Sequence, residues 1–552
     1  LAGQVSSDFS IALPLKAGLT GQEDQYEARG KITNGKLGKV VLDYELQEAD
    51  LDFSLDQSNL NFSGPLRFSG IPVTLDWTTH LSGPDKGHAD FSVDAPKVSG
   101  SEISALGYEV NEYLEGSVAL KSKAKLSPGG LITMTVESDF NNARLEVPQI
   151  HWHKARGEGG SIDFSLSIEK KHLHAKDINI ELGHLKTDGD VQFDMKGPVM
   201  SLSLEQLSLS YAQLKGLKLE RDESKNLIFT LQGGEASLEP FLSADEQGAD
   251  PLQKQVEVES KAVVQELRST GFTIEIGESK LDKLHINKET YLDNIEFSGR
   301  REGQGWQEIK VSGHNPLAGG REDTDPQFVA TEKLGPGEFS IAFGPLANGR
   351  YPLHIEVEDL GSLFSAVKGK NIMRSGYLVL DGDSQGPLFT EPLQADLQLN
   401  YFTLKEAPAI SSVLNMASLT QIISTFRHTG LAFNSASGSL QLDGSRLSIE
   451  DGHLKGGSLG VVSSGWMDLK QQTLALKGVV VPLSNLNNLV GKIPLFGRII
   501  VGKDGHGITA VDYTVTGTIS DPVASINEEA LTPELLENMT GTDDESGDQT
   551  PR

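Results

Sequence analysis

The sequence predicts an all-β protein: an elongated, curved antiparallel sheet that forms an open, taco-like groove, with a few short helices in the C-terminal half. Three observations support this fold class. Short apolar runs alternate with polar residues, turn-forming residues punctuate them throughout, and the 552 residues include 59 glycines but only 6% aromatics. Alternation of this kind is typical of strands with one apolar face, and a chain of this length exceeds what one compact core holds.

The clearest strand signal is the segment ADLDFSLD near the start of the chain. Leu51, Phe53 and Leu55 take one parity, while aspartates such as Asp52 take the other. Successive side chains of a strand point to opposite faces, so the apolar residues share one face. The alternation resumes after the turn at 56–59. The predicted apolar lining in this region comprises Leu51, Phe53, Leu55, Phe62, Leu66, Phe68, Val73, Leu75 and Trp77.

Similar runs recur along the chain, from GSVALKSKAKL to VDYTVTG. Short turns join consecutive strands in antiparallel fashion. The alternative is a series of ordinary β-sandwiches, in which the sheet folds onto itself every hundred residues or so and the apolar face becomes core. Linkers rich in Pro, Gly and Ser do not recur at that interval. A long continuous sheet is therefore the preferred interpretation.

Helical signals are few and fall late in the chain. The segment 250–271 has Asp250 as a candidate N-cap, Pro251 at the first helical position and Gly271 as a stop. A helix from Ala407 to Gly430, broken near Ser418, is also predicted, and shorter candidates begin at Asp359 and Ser484. Capping residues, Pro and Gly mark helix ends in this way. Each segment has one apolar face, so each is expected to cover an apolar face of the sheet.

The charge balance argues against nucleic acid as a partner. The chain has 77 Asp and Glu against 48 Lys and Arg, a net charge of −29, which repels a phosphate backbone.

The chain contains no cysteine, which removes disulfides, thiolate metal sites and cysteine nucleophiles. There is no run of about 18 apolar residues that would span a bilayer as a helix. The chain begins at Leu1 without a signal sequence, so we expect it to be the downstream part of a longer polypeptide.

Two short motifs resemble catalytic or nucleotide-binding signatures. GRIIVGKD, residues 497–504, has the glycine and lysine spacing of a phosphate-binding loop, but branched residues fill it and Asp504 stands where Ser or Thr is needed. We therefore expect no nucleotide. GGSLG, residues 456–460, matches the spacing around a nucleophilic serine, Ser458. A strand rather than a helix is predicted to follow it, which disfavours a nucleophile elbow.

Two histidine pairs are candidate metal ligands. His151 with His153, and His172 with His174, have the two-residue spacing that puts both rings on one face of a strand. Two such strands side by side would offer four nitrogens to zinc. The favoured interpretation is a polar, solvated face without metal. Carboxylates also lie on the polar parity, so no pair with opposed environments is expected, and neither an enzymatic activity nor a cofactor is predicted.

The most specific stretch of the C-terminal third is NLVGKIPLFGRIIVGKDGHGITAVDYTVTGTISDP. With the segments 357–387 and 401–426, it resembles the C-terminal region of AsmA-like proteins, and most closely the YhdP-type branch found in Gram-negative bacteria. Between residues 4 and 340 the resemblance rests on recurring strand-like sequence patterns. The residues of the stretch that match the family pattern are Gly491, Ile493, Pro494, Gly497, Gly505, Gly507, Tyr513, Val515, Gly517, Asp521 and Pro522.

The resemblance implies a function and a location. AsmA-like proteins of this branch are expected to be tethered at the inner membrane by an N-terminal anchor, absent from these residues, and to pass phospholipids across the periplasm to the outer membrane or a partner there. The apolar side chains Ile499, Ile500 and Val501 would then line the groove near its distal mouth. No cofactor or nucleotide is implied. After Asn527 the sequence EEALTPELLEN departs from the apolar ending of the family, and an acidic tail follows.

Together these patterns divide the chain into four parts: a groove segment of repeated strands (1–235), a helix followed by strands (236–340), the AsmA-like C-terminal region (341–531) and an acidic tail expected to be disordered (532–552). Two other functions stay open. The first is an assembly or structural factor for outer-membrane proteins that docks clients on strand edges. The second is a secreted carbohydrate-active or adhesive β-protein, which the low counts of 4 Trp and 10 Tyr disfavour.

Overall fold

The computed structural model of the chain falls into two compact units, Leu1–Asp282 and Lys283–Arg552, called unit 1 and unit 2 below. The predicted helices at 250–271 and at Ser484, the break near Ser418, the GRIIVGKD segment and the acidic tail lie outside the described residues. The structure describes residues 2–12, 25–41, 44–108, 110–169, 172–194, 199–222, 224, 226–242, 273–288, 290–303, 305–316, 337–368, 372–405, 408–416, 426, 429–482 and 511–527.

The all-β prediction is confirmed, since strands dominate the described residues and pair in antiparallel fashion. The first eighteen strands are β1 Ala2–Ala12, β2 Gln25–Val41, β3 Tyr44–Leu55, β4 Asn59–Phe68, β5 Ile71–His80, β6 Ala89–Ser99, β7 Leu114–Leu126, β8 Ile132–Asp139, β9 Ala143–Val147, β10 Trp152–Lys154, β11 Gly160–Glu169, β12 His172–Leu182, β13 Leu185–Asp194, β14 Val199–Leu209, β15 Ala212–Arg221, β16 Leu227–Thr230, β17 Gly233–Ser237 and β18 Thr273–His285.

The later strands continue the same pattern. They are β19 Tyr291–Glu302, β20 Gly305–His314, β21 Glu338–Phe343, β22 Tyr351–Val357, β23 Met373–Ser384, β24 Leu393–Leu404, β25 Leu431–Asp443, β26 Arg446–Gly456, β27 Leu459–Asp468, β28 Thr473–Pro482, β29 Val511–Thr518 and β30 Pro522–Asn527. The helices described are short: Gly100–Ala105, the 3-10 turn Pro148–Ile150, Glu239–Leu242, Leu360–Lys368 and Pro408–Met416.

Unit 1 is built mainly by pairing between sequence neighbours. Strands β1 to β8 pair in order, β8 then pairs with β11, and β11 to β16 again pair in order. The hairpin of β9 and β10 branches off β7, and β17 branches off β15. Strand β18 joins β16 as a parallel neighbour. The chain between β8 and β11 thus forms a side branch, and β11 resumes the pairing order next to β8.

The alternation predicted from the sequence is present in the packing. On β5, Val73 and Leu75 are buried, whereas Thr74 and Asp76, which alternate with them, are exposed. On β3, Leu51 is buried and Asp52 is exposed. Each strand therefore separates an apolar face from a polar face, because successive side chains point to opposite sides of the pleat.

A short helix that the sequence analysis did not predict closes one end of the apolar core of unit 1. The helix Gly100–Ala105 begins with a capping box in which Ser99 and Glu102 satisfy each other's backbone N–H groups. The hydrogen bond from the Ser99 N–H lowers the pKa of Glu102. Ile103 packs against the buried cluster, and the Tyr44 hydroxyl donates to the Leu106 carbonyl at 3.0 Å.

In unit 2 the strands β19 to β30 pair in chain order. The helix predicted from Asp359 is confirmed: it runs over Leu360–Lys368, and Asp359 caps it by accepting from the Ser362 N–H at 2.9 Å. The helix Pro408–Met416 lies where the longer helix from Ala407 is predicted. It buries Val413 and Leu414 against the apolar side chains of the sheet, which confirms the predicted covering role.

Candidate functional site

The register of unit 1 lines up one apolar side chain per strand across thirteen strands, β3 to β8, β11 to β16 and β18. We call this set the apolar row. Its members are paired in order as Phe53, Phe62, Trp77, Phe91, Ala124, Met134, Leu166, Ala175, Val191, Leu202, Leu219, Phe229 and Ile276. Neighbouring strands lie about 4.8 Å apart, so the row runs for roughly 60 Å across the strands.

The apolar row is only half-covered. Ala175 is buried, at 6% exposure, and the other members are half-buried. Inside a β-sandwich the facing sheet would bury such residues almost completely, since two sheets interdigitate their side chains. In the part of unit 1 that the structure describes, the row is thus open, and the sandwich interpretation does not hold for it.

Aromatic rings form the first third of the row. The ring centroids lie 6.2 Å apart from Phe53 to Phe62, 5.6 Å from Phe62 to Trp77 and 5.1 Å from Trp77 to Phe91. The Trp77 indole N–H donates to the Thr79 hydroxyl at 2.8 Å, so its one polar atom is satisfied without a ligand. Rings packed against each other in this way present a broad and rigid apolar surface.

A cavity of about 460 Å³ opens on the same face, beside this aromatic end. Lys36 is the charged residue of its wall, and the Lys36 ammonium lies 3.5 Å from the Glu45 carboxylate. A hydrogen bond from Gln47, followed by the charge of Lys36, lowers the pKa of Glu45. The apolar wall is formed by Val5, Ile32, Leu37, Leu46, Ala49, Leu51, Phe62, Leu75 and Trp77, together with Ala2 and the glycines at 3 and 35.

The lining residues predicted from the sequence near the start of the chain fall on this face and divide into two groups. Leu51, Leu66, Val73 and Leu75 are buried at 8% exposure or less and belong to the core. The half-buried group, which a ligand can touch, is Phe53, Leu55, Phe62, Phe68 and Trp77. The predicted lining residues of the distal mouth, Ile499, Ile500 and Val501, lie outside the described residues.

Unit 2 carries a shorter row of the same kind. Its strands β19 to β24 each contribute one half-buried apolar side chain in register. Further along the sheet, the helix Pro408–Met416 covers the apolar residues of the later strands. The members of the shorter row are Phe297, Val311, Ile341, Ile355, Leu380 and Leu397.

The described residues of the C-terminal motif, the stretch that resembles AsmA-like proteins, are structural. The Tyr513 hydroxyl donates to the Val462 carbonyl at 3.3 Å across Gly478, where a Cβ would come within 1.9 Å of the same carbonyl oxygen. Burial raises the pKa of Tyr513. Gly517, at φ +110°, precedes the turn between β29 and β30, and Pro522 begins β30.

The rest of the motif is described only in part. The Asp521 N–H donates to the Thr518 hydroxyl oxygen at 3.1 Å, which holds the turn between the two strands. Val515, at 1% exposure, is part of the core of unit 2. The motif residues Gly491, Ile493, Pro494, Gly497, Gly505 and Gly507 lie outside the described residues.

The histidine pairs do not come together. His153 lies on β10, which pairs with β9, whereas β12 with His172 and His174 pairs with β11 and β13. His172 instead contacts Asp194 at 2.7 Å, and His151 packs edge-on against Phe241. Among the residues that the structure describes, no group of three His, Cys, Asp or Glu side chains is arranged to hold a metal ion.

The GGSLG segment is a hairpin turn. Strand β26 ends at Gly456 and β27 begins at Leu459, so Ser458 sits between two antiparallel strands, as the sequence predicts. A nucleophile elbow requires a helix after the serine.

Several members of the apolar row were not singled out from the sequence, among them Phe91, Met134 and Leu202. Their local alternation is visible in runs such as ADFSVDA and MSLSLEQLSLSY. Alternation assigns a residue to a face but does not tell which residues of other strands lie beside it, because this depends on register. A strand-by-strand alignment of parities would have assigned these residues to the apolar face, but not to the row.

Within the described residues, helices that combine the length and apolarity needed to cross a bilayer are not found. The chain matches no family model, no curated protein and no solved structure.

Proposed function

We propose that the protein is a non-enzymatic lipid carrier whose apolar row receives the acyl chains of phospholipids. The observation that carries the proposal is the half-buried apolar row, which stays continuous across thirteen strands and is not covered in the described part of unit 1. Soluble monomers rarely expose contiguous apolar patches beyond a few hundred Å². An apolar ligand that covers a surface of this length removes it from water, which lowers the free energy of the complex.

Acyl chains suit this surface in energy and in size. Each buried CH₂ group contributes about 0.8 kcal/mol, so a chain laid along the row is held without any specific polar contact. One bilayer leaflet is about 15 Å thick in its hydrocarbon part, half of the whole core. A row of roughly 60 Å therefore has room for more than one lipid. The open side of the face leaves polar head groups in water.

The cellular role follows from the resemblance to AsmA-like proteins. We place the chain in the periplasm of a Gram-negative bacterium, tethered to the inner membrane through an anchor outside these residues. It would pass phospholipids toward the outer membrane or a partner there. The lack of cysteine suits an oxidising compartment. The alternative function is assembly of outer-membrane proteins.

The first test is lipid extraction. The chain is purified under mild conditions, extracted with organic solvent, and the extract is analysed by mass spectrometry. We expect more than one phospholipid per protein. A lipid-free extract from folded protein would contradict the proposal, and copurification of an outer-membrane barrel protein without lipid would favour the assembly function instead.

A matched pair of variants tests whether the apolar face of the sheet is the one that binds lipid. Leu202 is a half-buried member of the row, and its neighbour Ser203 points to the polar face, where it pairs with Asp190 and Lys218. Leu202→Asp puts a carboxylate into the acyl-chain path and should reduce bound lipid at least several-fold, because an unpaired charge in an apolar environment is strongly disfavoured. Ser203→Asp should retain the lipid content of the parent.

Urea denaturation of both variants shows whether each remains folded, which separates lipid loss from unfolding. The half-buried position is chosen because a buried one, such as Leu75, would also disturb the core. Equal lipid loss in the two variants would mean that the apolar face is not the binding face.

A further inference from the structure

The opposite face of the same sheet in unit 1 contains a second concavity, an open hollow of about 730 Å³. We call it the polar hollow. It spans β5 to β8, β11 and β12, and its volume falls in the range of about 300–1,000 Å³ typical of small-molecule sites. Its polar lining consists of Asp76, Thr78, Asp90, Ser92, Lys123, Lys125, Thr133, Thr135, Ser165, Ser167, His174, Lys176 and Asp177, and Phe91, Ala124, Met134 and Leu166 of the apolar row also contribute to its wall.

Strand register arranges this lining in two parallel rungs that cross the strands. The first rung pairs Ser92 with Lys123, then Thr135, Ser165 and Lys176. A lysine thus stands at each end of two adjacent hydroxyls, and the two lysines are three strands apart, about 14 Å between backbones. The second rung runs beside the first as Asp90, Lys125, Thr133, Ser167 and His174.

Two carboxylates of the hollow are engaged at its β5–β6 margin, and a third, Asp177, lies next to Lys176 on β12. Asp90 contacts His80 at 2.8 Å, and Asp76 accepts a hydrogen bond from the Ser63 hydroxyl at 2.5 Å. Lys125 lies 3.4 Å from Asp85 outside the hollow.

The two lysines of the first rung differ from these groups. Within the described residues, Lys123 and Lys176 form no ion pair and no side-chain hydrogen bond. Two ammonium groups that flank hydroxyls without a direct ion pair among the described residues are notable in a chain of net charge −29. Ammonium groups on long, flexible arms bind phosphate as point charges.

We propose that the polar hollow binds a small polyol carrying two phosphate groups. Each phosphate contacts one lysine of the first rung, Lys123 or Lys176, and the polyol hydroxyls lie over Thr135 and Ser165 between them. Serine and threonine hydroxyls can both donate to and accept from the hydroxyls of such a ligand. The order lysine, two hydroxyls, lysine matches the order phosphate, hydroxyls, phosphate.

The ligand is a soluble molecule rather than a lipid held in the apolar row, since the lysines and hydroxyls proposed to hold it take the parity opposite to that of the row. The hollow is concave, whereas a membrane surface is flat on this scale. The groups proposed to bind this ligand differ from those proposed to bind lipid, so each proposal can fail without the other.

Calorimetric titration of the full chain at low salt tests the site, with fructose 1,6-bisphosphate as the probe. We expect saturable binding that the double variant Lys123→Gln/Lys176→Gln weakens at least tenfold. The matched control is Lys121→Gln, on the same strand and face but outside the hollow, where it pairs with Asp94 and Glu137. The control should bind within twofold of the parent, and so should Leu202→Asp.

Other outcomes would overturn the assignment. If the parent shows no saturable binding, the hollow is only a solvated surface. If Lys121→Gln weakens binding as much as the double variant does, the attraction is general electrostatics. If inorganic phosphate alone binds as tightly as the bisphosphate, the hydroxyls of the rung do not contribute, and if only phosphatidylglycerol vesicles bind, the ligand is a membrane surface.

Discussion

At the scale of single residues, Lys154 is the most unusual side chain described. It is 0% exposed, yet its ammonium group donates to three backbone carbonyls, those of Phe140 at 2.8 Å, Ala143 at 3.0 Å and Ala155 at 3.3 Å. Lys154 ends β10, so these bonds tie the β9–β10 hairpin to the loops on either side of it. Burial lowers the pKa of Lys154 from its ordinary value of 10.5. The negative charges of Glu158 and Asp139 partly offset this lowering.

Replacement of this lysine should change stability in a pH-dependent manner. Lys154→Met leaves carbonyls without their donor, so the free energy of unfolding at about pH 7 should fall by roughly 1–3 kcal/mol. Between the lowered pKa and 10.5 the unfolded parent binds more protons than the folded parent, so its stability contribution from Lys154 rises with pH. The variant lacks this rise.

Urea denaturation of the parent and of Lys154→Met at several pH values below 10.5 measures both effects. The exposed Lys218→Met serves as the control, and it should match the parent throughout. A variant as stable as the parent, with the same slope against pH, would show that the three hydrogen bonds contribute nothing net.

At the scale of elements, the helix Pro408–Met416 acts as a cover for the sheet of unit 2. Leu414, at 1% exposure, packs in one cluster with Leu459, Val480 and Val515 from three strands. The Ser412 hydroxyl also donates to the Pro522 carbonyl at 3.2 Å, at the start of β30. An apolar helix face thus does for these strands what a ligand is proposed to do for the open row of unit 1.

Truncation of the covering side chain should loosen this end of unit 2. Leu414→Ala removes a buried side chain and leaves a cavity, at a cost of about 2–5 kcal/mol. Hydrogen exchange should accelerate in β29 and β30, which the helix contacts. Ser411→Ala on the same helix is the control and should leave exchange unchanged. Unaltered protection of β29 in Leu414→Ala would mean that the helix does not hold these strands in place.

The sequence predicts which residues form strands and helices better than it predicts which strands pair and in what register. The alternation of Leu51 and Asp52 was sufficient to assign faces, and the cap at Asp359 located a helix start. Register was not predictable, because backbone irregularities shift it. Glu48, for example, has a positive φ of 50°, and the pairing of β3 with β4 slips between Gln47 and Asp52.

The same limit explains why the polar hollow was missed. The lysines of GSVALKSKAKL are visible in the sequence, but their position beside Ser165 and Lys176 depends on the strand β11 pairing directly with β8. That pairing skips the β9–β10 hairpin, which no local pattern indicates. Which residues lie side by side after such an interruption of the pairing order depends on the strand topology and not on the local sequence.

At the scale of the whole molecule, the net charge of −29 would govern the encounters of the proposed lipid carrier with membranes. A strongly acidic protein is repelled from anionic lipid surfaces, and salt screens that repulsion, with a Debye length of about 30 Å at 0.01 M and about 8 Å at 0.15 M ionic strength. The rate of lipid delivery would therefore depend on the charge of the acceptor surface.

Lipid transfer between vesicles should accordingly respond to salt in a composition-dependent way. With vesicles containing phosphatidylglycerol, the transfer rate of a fluorescent phospholipid should rise several-fold between about 0.01 M and about 0.15 M ionic strength. With vesicles of phosphatidylcholine alone it should stay nearly constant. A fall in rate with salt on the anionic vesicles would indicate a local basic docking surface that outweighs the net charge.

Most strands pair with the strand that precedes them in the chain, as β1 to β8 and β19 to β30 do. Most of these contacts close short loops, which limits the chain entropy lost at each step and favours rapid formation. A nascent chain can therefore add one hairpin at a time to the edge already formed, as stacked repeat arrays do, before its later residues have been synthesised. The number of unpaired edges at the growing end stays the same however long the polypeptide becomes.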